Sequence, residues 1–119
     1  MLDLTSIDNL YDDGQGRDIW LTDTLTRLYG KLKFPPGTSR PYVISNFVSS
    51  VDGVVTLGIP GKAGGDDISG KNRHDRAVMG ILRAVSDVII VGSKNLAASP
   101  QHIWMPERVF PDFAEDYRG

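Results

Sequence analysis

Residues 87–92 read Asp-Val-Ile-Ile-Val-Gly, four consecutive β-branched apolar residues between an acid and a glycine. A run of this kind predicts a strand covered on both faces, the type found in parallel sheets. Just upstream, Ala77, Val78, Ile81, Leu82 and Val85 recur at i, i+1, i+4, i+5 and i+8, one face of an amphipathic helix, with Arg73, Arg76 and Arg83 off that stripe. Ser69 or Asn72 can cap its start, and Asp75 stands three residues beyond Asn72 as in a capping box. Further upstream, "YVISNFVSS" at 42–50 alternates Tyr42, Ile44, Asn46 and Val48 against Val43, Ser45, Phe47 and Ser49. Apolar groups on both faces predict a central strand. Asp52-Gly53 turns into "VVTL", a short second strand. Strand, helix, strand is a βαβ unit, so the expected fold class is α/β.

Outside this unit the chain is punctuated by proline and glycine. Residues 1–18 are polar and irregular. Leu21, Leu25, Leu28 and Leu32 form one helical stripe, weakened by Gly30 and ended by Pro35 and Pro36. Residues 58–70 are expected to be a loop with five glycines, and Pro111 is well placed to begin a last helix.

Composition narrows the functional classes. The 119 residues suit one domain, and the net charge of −2 offers no general attraction to nucleic acid or anionic membrane. No apolar run is long enough to span a bilayer, and the acidic N-terminus lacks the layout of a signal peptide. Absence of cysteine excludes disulfides, thiolate metal sites and cysteine nucleophiles. A cytoplasmic location is the expectation.

One stretch imitates a nucleotide site. "GGDDISGKN", residues 64–72, reads G-x-x-x-x-G-K from Gly65, but Asn72 stands where a P-loop needs Ser or Thr to hold magnesium. A loop, not a buried strand, precedes it, and Asp66 and Asp67 would repel phosphates. The reading adopted is a glycine-rich lid followed by a helix cap. His74 and His102 have no cysteine partners and no ligand spacing, so they read as exposed polar residues and no metal site is expected. Asp66 and Asp67 read as solvated acids. Ser45 and Asn46 need hydrogen-bond partners if their strand is buried, from a neighbouring loop or from a ligand. Gly92-Ser93 closes a buried strand at its carboxyl end, where open α/β sheets bind ligands.

These residues together carry a resemblance. "RPYVISNFVSSVDGVVTL", "ISG" opening a helix, and "LRAVSDVIIVGSKNL" look like the first half of the reductase domain of the riboflavin-biosynthesis protein RibD, over about residues 40–98. The resemblance implies a dihydrofolate-reductase-like fold and NADPH-dependent reduction of the ribose of an aminopyrimidine ribosyl phosphate, as in 5-amino-6-(5-phosphoribosylamino)uracil reductase. It implies a homodimer and a small phosphorylated sugar or pyrimidine substrate, with no nucleic acid or membrane partner. Position by position it implies that Val48 touches cofactor through its backbone, that Gly65 and Asp67 lie in the segment approaching substrate and cofactor, and that Arg83 binds substrate. Gly92 ends the strand beside the nicotinamide. Asn95 replaces a cofactor-contacting threonine, and Ser99 stands where an acid contacting cofactor is usual. No catalytic residue is assigned.

The family's second half, with its Gly-Gly-x-x-Leu turn, has no counterpart after residue 99. Residues 1–119 are therefore expected to be one incomplete reductase-like domain, with further residues or another chain supplying the open sheet edge. The alternative is a non-catalytic module that binds a ligand or assembles with a partner.

Overall fold

The computed structural model describes residues 4–37, 39–62 and 64–118. It is a mixed helix–strand fold with a single two-stranded sheet among the described residues. Strand β1 (Arg17–Ile19) is followed by helix α1 (Asp23–Tyr29) and strand β2 (Leu32–Phe34). Then come α2 (Gly65–Ser69), α3 (Arg73–Ala84), α4 (Ser93–Ala98), α5 (Pro106–Val109) and a 3-10 turn at Pro111–Phe113.

The N-terminal third departs from the expected helical stripe. Thr22 caps α1 by accepting from the amide of Leu25 at 3.3 Å. Gly30, at φ 85°, ends the helix and turns the chain back, a conformation that costs glycine little. Leu32 thus lies on β2, paired with Ile19 in an antiparallel register that also sets Arg17 opposite Phe34. It still reaches the core, because its side chain falls on the same side as Leu25 and Leu28.

Helix α3 forms as its pattern dictates. The Asn72 side chain accepts from the amides of His74 at 2.9 Å and Asp75 at 3.1 Å, closing the helix start. Its buried face carries Ala77, Gly80 and Ile81, while Val78, Leu82 and Val85 stay half-buried. Against it sit α5 and the 3-10 turn, where Val109, Phe110 and Phe113 complete a core shared with Leu25, Leu28 and Leu32. Burial of each large side chain there stabilises the fold by about 1.5–3 kcal/mol. Arg76 fixes the docking by donating from Nε to the Val109 carbonyl at 3.1 Å. Arg73 pairs with Asp112 at 2.8 Å and lies over the Phe110 ring at 5.7 Å. The C-terminal segment, expected only to begin a helix at Pro111, is therefore a principal wall of the core.

The expected central strands are corrected by the structure. Residues 42–49, 54–57 and 88–91 belong to no sheet, and the one sheet is antiparallel. Residues 42–49 and 87–91 make no backbone–backbone hydrogen bond among the described residues. A strand is defined by its neighbour, and neither apolar run has one here. Many of their apolar side chains face outward, with Phe47 82% and Ile90 87% exposed, while Ile44, Val48 and Val91 are half-buried. The Asp52-Gly53 turn does form: Ser50 accepts from Gly53 at 2.9 Å and donates its own amide to Val54 at 2.9 Å. No helix is long and apolar enough to cross a membrane among the described residues.

Candidate functional site

The site residues expected from sequence fall into three groups. Val48 and Gly65 meet: a Cβ built on Gly65 would sit 3.0 Å from Val48 Cγ1, so the glycine lets the start of α2 close on residue 48. Asp67 follows on the same short helix, exposed, its amide donating to the Gly64 carbonyl at 3.2 Å. Gly92, Asn95 and Ser99 form the second group on α4, Gly92 before its first turn and Ser99 after its last. All three are exposed, and a Cβ on Gly92 would meet nothing within 4 Å.

Arg83 is the third group. It lies in the last turn of α3, where a cation is favoured by the helix dipole. It does not point freely into water. Its guanidinium carbon lies 5.0 Å from the centre of the Trp104 ring, a cation–π contact. Burial pulls the guanidinium below its ordinary pKa. Its Nη1 is buried and has no hydrogen-bond partner among the described residues. The same is true of Trp104 Nε1. His102 packs on Trp104, its ring 4.4 Å away in an edge-on arrangement. Partial burial and then the charge of Arg83 hold the His102 imidazole below its ordinary pKa, with Asp66 of α2 opposing.

The chain ties the second and third groups together. The amide of His102 donates to the Ser99 carbonyl at 3.0 Å, so the end of α4 leads directly into the aromatic pair over Arg83. Asp66 acts on His102, bringing α2 to the same side. Beside it, burial raises the pKa of Asp75, the Ser69 hydroxyl opposing and Asp66 adding to the rise. Ser69 Oγ and Asp75 Oδ2 are buried, and neither meets full hydrogen-bond geometry with any group among the described residues.

The P-loop imitation resolves into helix, turn and helix. Gly70 at φ 61° and Lys71 at φ 58° reverse the chain between α2 and α3, and the Lys71 amide is spent on the Asp66 carbonyl at 3.0 Å. Those amides do not converge on a phosphate. His74, expected to be exposed, is half-buried, its Nε2 3.0 Å from the Thr5 carbonyl. A groove of about 590 Å³ lined by Trp20, Leu21, Val85 and Tyr117 among others holds none of the expected site residues. Among those residues no group of three metal-ligating side chains comes together in the described structure.

Sequence reasoning missed Trp104; His102 is exposed, as expected, but was given no place beside Arg83. They lie in "QHIWMPER", which has no helical or strand period, so only the presence of a tryptophan and a histidine two residues apart could have drawn notice. No family model, curated protein or solved structure matches this chain.

Proposed function

We propose that this chain carries the substrate-anchoring part of an NADPH-dependent reductase similar to the riboflavin-pathway pyrimidine reductases, built on a dihydrofolate-reductase-like plan. The observation that carries this reading is Arg83: a half-buried guanidinium with an unpartnered Nη1, at the position the resemblance gives to a substrate-binding arginine. A buried charged donor without an acceptor costs several times what an exposed one does, so a ligand that supplies the acceptor is favoured. The substrate class is a small phosphorylated sugar, with or without a pyrimidine.

For the cofactor, Val48, Asp67, Gly92, Asn95 and Ser99 are the residues that would hold it. The open space at Gly92 and the exposed amide and hydroxyl of Asn95 and Ser99 fit a ribose-phosphate arm. Asp67, a carboxylate on an exposed turn, fits ribose hydroxyls and repels phosphates. NADPH, if bound there, would supply the hydride that reduces the sugar carbonyl carbon. The protein's task is to hold the two carbons together and keep water from the hydride. Arg83 does this from the substrate side by fixing the anionic end.

Fluorescence titration with NADPH tests the cofactor arm; absence of binding at millimolar concentration ends the reductase reading. Arg83→Lys keeps the charge and loses the planar fork, so substrate binding should weaken about tenfold or more with melting temperature and NADPH binding preserved.

A second reading is favoured by a different observation. Residues 42–49 and 87–91 are rich in apolar groups and make no backbone–backbone hydrogen bond among the described residues. In this reading the chain is a non-catalytic module whose two runs assemble with another polypeptide as a homodimer or with a partner.

A further inference from the structure

The groove of about 590 Å³ lies between β1, the start of α1, the end of α3 and the C-terminal residues. Ile19, Leu21 and Val85 give it apolar walls, and Trp20, which also lines it, is 69% exposed. No residue of β2 lines it, so it flanks β1 on the side away from β2. Residues 17–20 make no backbone–backbone hydrogen bond outside the β1–β2 ladder among the described residues, which leaves a strand edge open there. Three of the four charged residues along the groove are already matched. Asp18 pairs with Lys31 at 3.7 Å, Asp116 accepts from the Thr22 hydroxyl at 2.6 Å, and Arg118 pairs with Glu115 at 2.9 Å. The fourth, Arg17, is exposed and makes no ion pair among the described residues.

The chain carries a segment of matching chemistry. Asp87, exposed and likewise without an ion pair among the described residues, leads into Val88, Ile89, Ile90 and Val91. Val88 is 76% exposed and Ile90 87%, and β-branched side chains suit a strand once a neighbour exists. The other apolar run, 42–49, contains no acid and follows Arg40, so charge favours 87–91 for the groove that Arg17 borders. Position makes the partner a second copy. Ala84 and Val85 line the groove and Asp87 follows two residues later, yet no residue of 87–91 lines it. Each chain therefore presents groove and run side by side, and a two-fold axis between two copies lays each run in the other's groove, so that both are covered at once.

We propose that this chain forms a two-fold dimer in which residues 87–91 of each copy lie along β1 of the other. Asp87 meets Arg17, which sets the run parallel to β1, and the apolar side chains pack on Ile19, Leu21 and Val85. The proposal rests on the assembly reading and names its partner and its surface.

The chain has no cysteine, so introduced cysteines report the contact cleanly. Sedimentation velocity first gives the oligomeric state of the wild-type chain. Arg17→Cys and Asp87→Cys chains are then mixed in equal amounts and oxidised. The expected results are a wild-type dimer and a disulfide joining the two variants, in clear excess over the disulfide that either variant forms alone. Arg17→Asp and Asp87→Arg should each weaken the dimer about fivefold, since two symmetry-related pairs are lost, and both reversals in one chain should restore it. A dimer without the mixed disulfide, or reversals without rescue, overturns the exchange and leaves the assembly reading standing. Cross-linking of Arg17→Cys to Val43→Cys in place of Asp87→Cys overturns it in favour of the 42–49 run. Oligomers that lengthen steadily with concentration overturn the two-fold closure. A chain that stays monomeric at every concentration removes the exchange and the assembly reading together.

Discussion

Gly80 shows how one missing methyl group decides where the C-terminus docks. It is buried in the middle of α3, where glycine costs about 1 kcal/mol relative to alanine. A Cβ there would lie 2.6 Å from Cζ of Tyr117 and closer still to its hydroxyl. Tyr117 cannot easily yield: its ring meets Phe113 edge-on at 6.1 Å, and its hydroxyl donates to the Ala77 carbonyl at 3.4 Å. Burial, with Asp116 and Asp112 nearby, pushes the phenol well above its usual pKa, so it stays a donor throughout the ordinary pH range. Gly80→Ala is therefore expected to destabilise by about 1–3 kcal/mol despite better helix propensity. Urea unfolding checks it, and adding Tyr117→Phe should recover part of the loss by removing the oxygen in the way. A stabilised Gly80→Ala would show that Tyr117 is not held.

At the scale of elements, α3 is the piece whose local and tertiary demands agree. Its cap, its apolar stripe and two of its arginines, Arg73 and Arg76, serve one docking surface. The cap is the testable part: Asn72→Ala removes the acceptor for two amides and should cost about 1 kcal/mol. Asn72→Asp should retain most of the stability, since a carboxylate accepts the same bonds and suits the helix start. Thermal melts of the pair check it; equal loss in both would mean that the cap contributes through packing and not through hydrogen bonds. By contrast, residues 42–49 have strand composition and no ladder. β-propensity measures fit to a half-buried pleated surface, and without a second strand that surface does not exist.

For the whole molecule, the balance between core and exposed apolar groups is the governing fact. Eight apolar side chains are buried in the described core, whereas Val43, Phe47, Val51, Val88 and Ile90 are among the many large ones turned outward. Exposed apolar runs with unpaired backbone are templates for strand pairing. Association that grows with concentration is expected, and replacing Phe47 and Ile90 by lysine should suppress it while leaving the melting temperature of the α1–α3–α5 core nearly unchanged. Sedimentation velocity over a concentration series checks this. A wild-type chain that stays monomeric with these two residues exposed would remove the assembly reading.

Within the sequence, α3 with its Asn72 cap, the Asp52-Gly53 turn and the short helix around Leu25 and Leu28 were legible, because each is set by neighbours within a few residues. So was Arg83 as a residue off the core stripe, although its functional role came from the resemblance and remains a proposal. The β1–β2 pairing was not legible: Leu32 continues a helical period and only the turn at Gly30 breaks it, while β1 carries a polar sequence whose partner lies thirteen or more residues away. The C-terminal wall was not legible either, since Val109, Phe110 and Phe113 become core only by meeting α3. The Arg83–Trp104–His102 stack belongs wholly to tertiary structure. Its members are separated by about twenty residues of chain with no shared period. Local periodicity reports which face of an element is apolar; it carries no information about which distant segment covers that face, or which donors are left without a partner once it does.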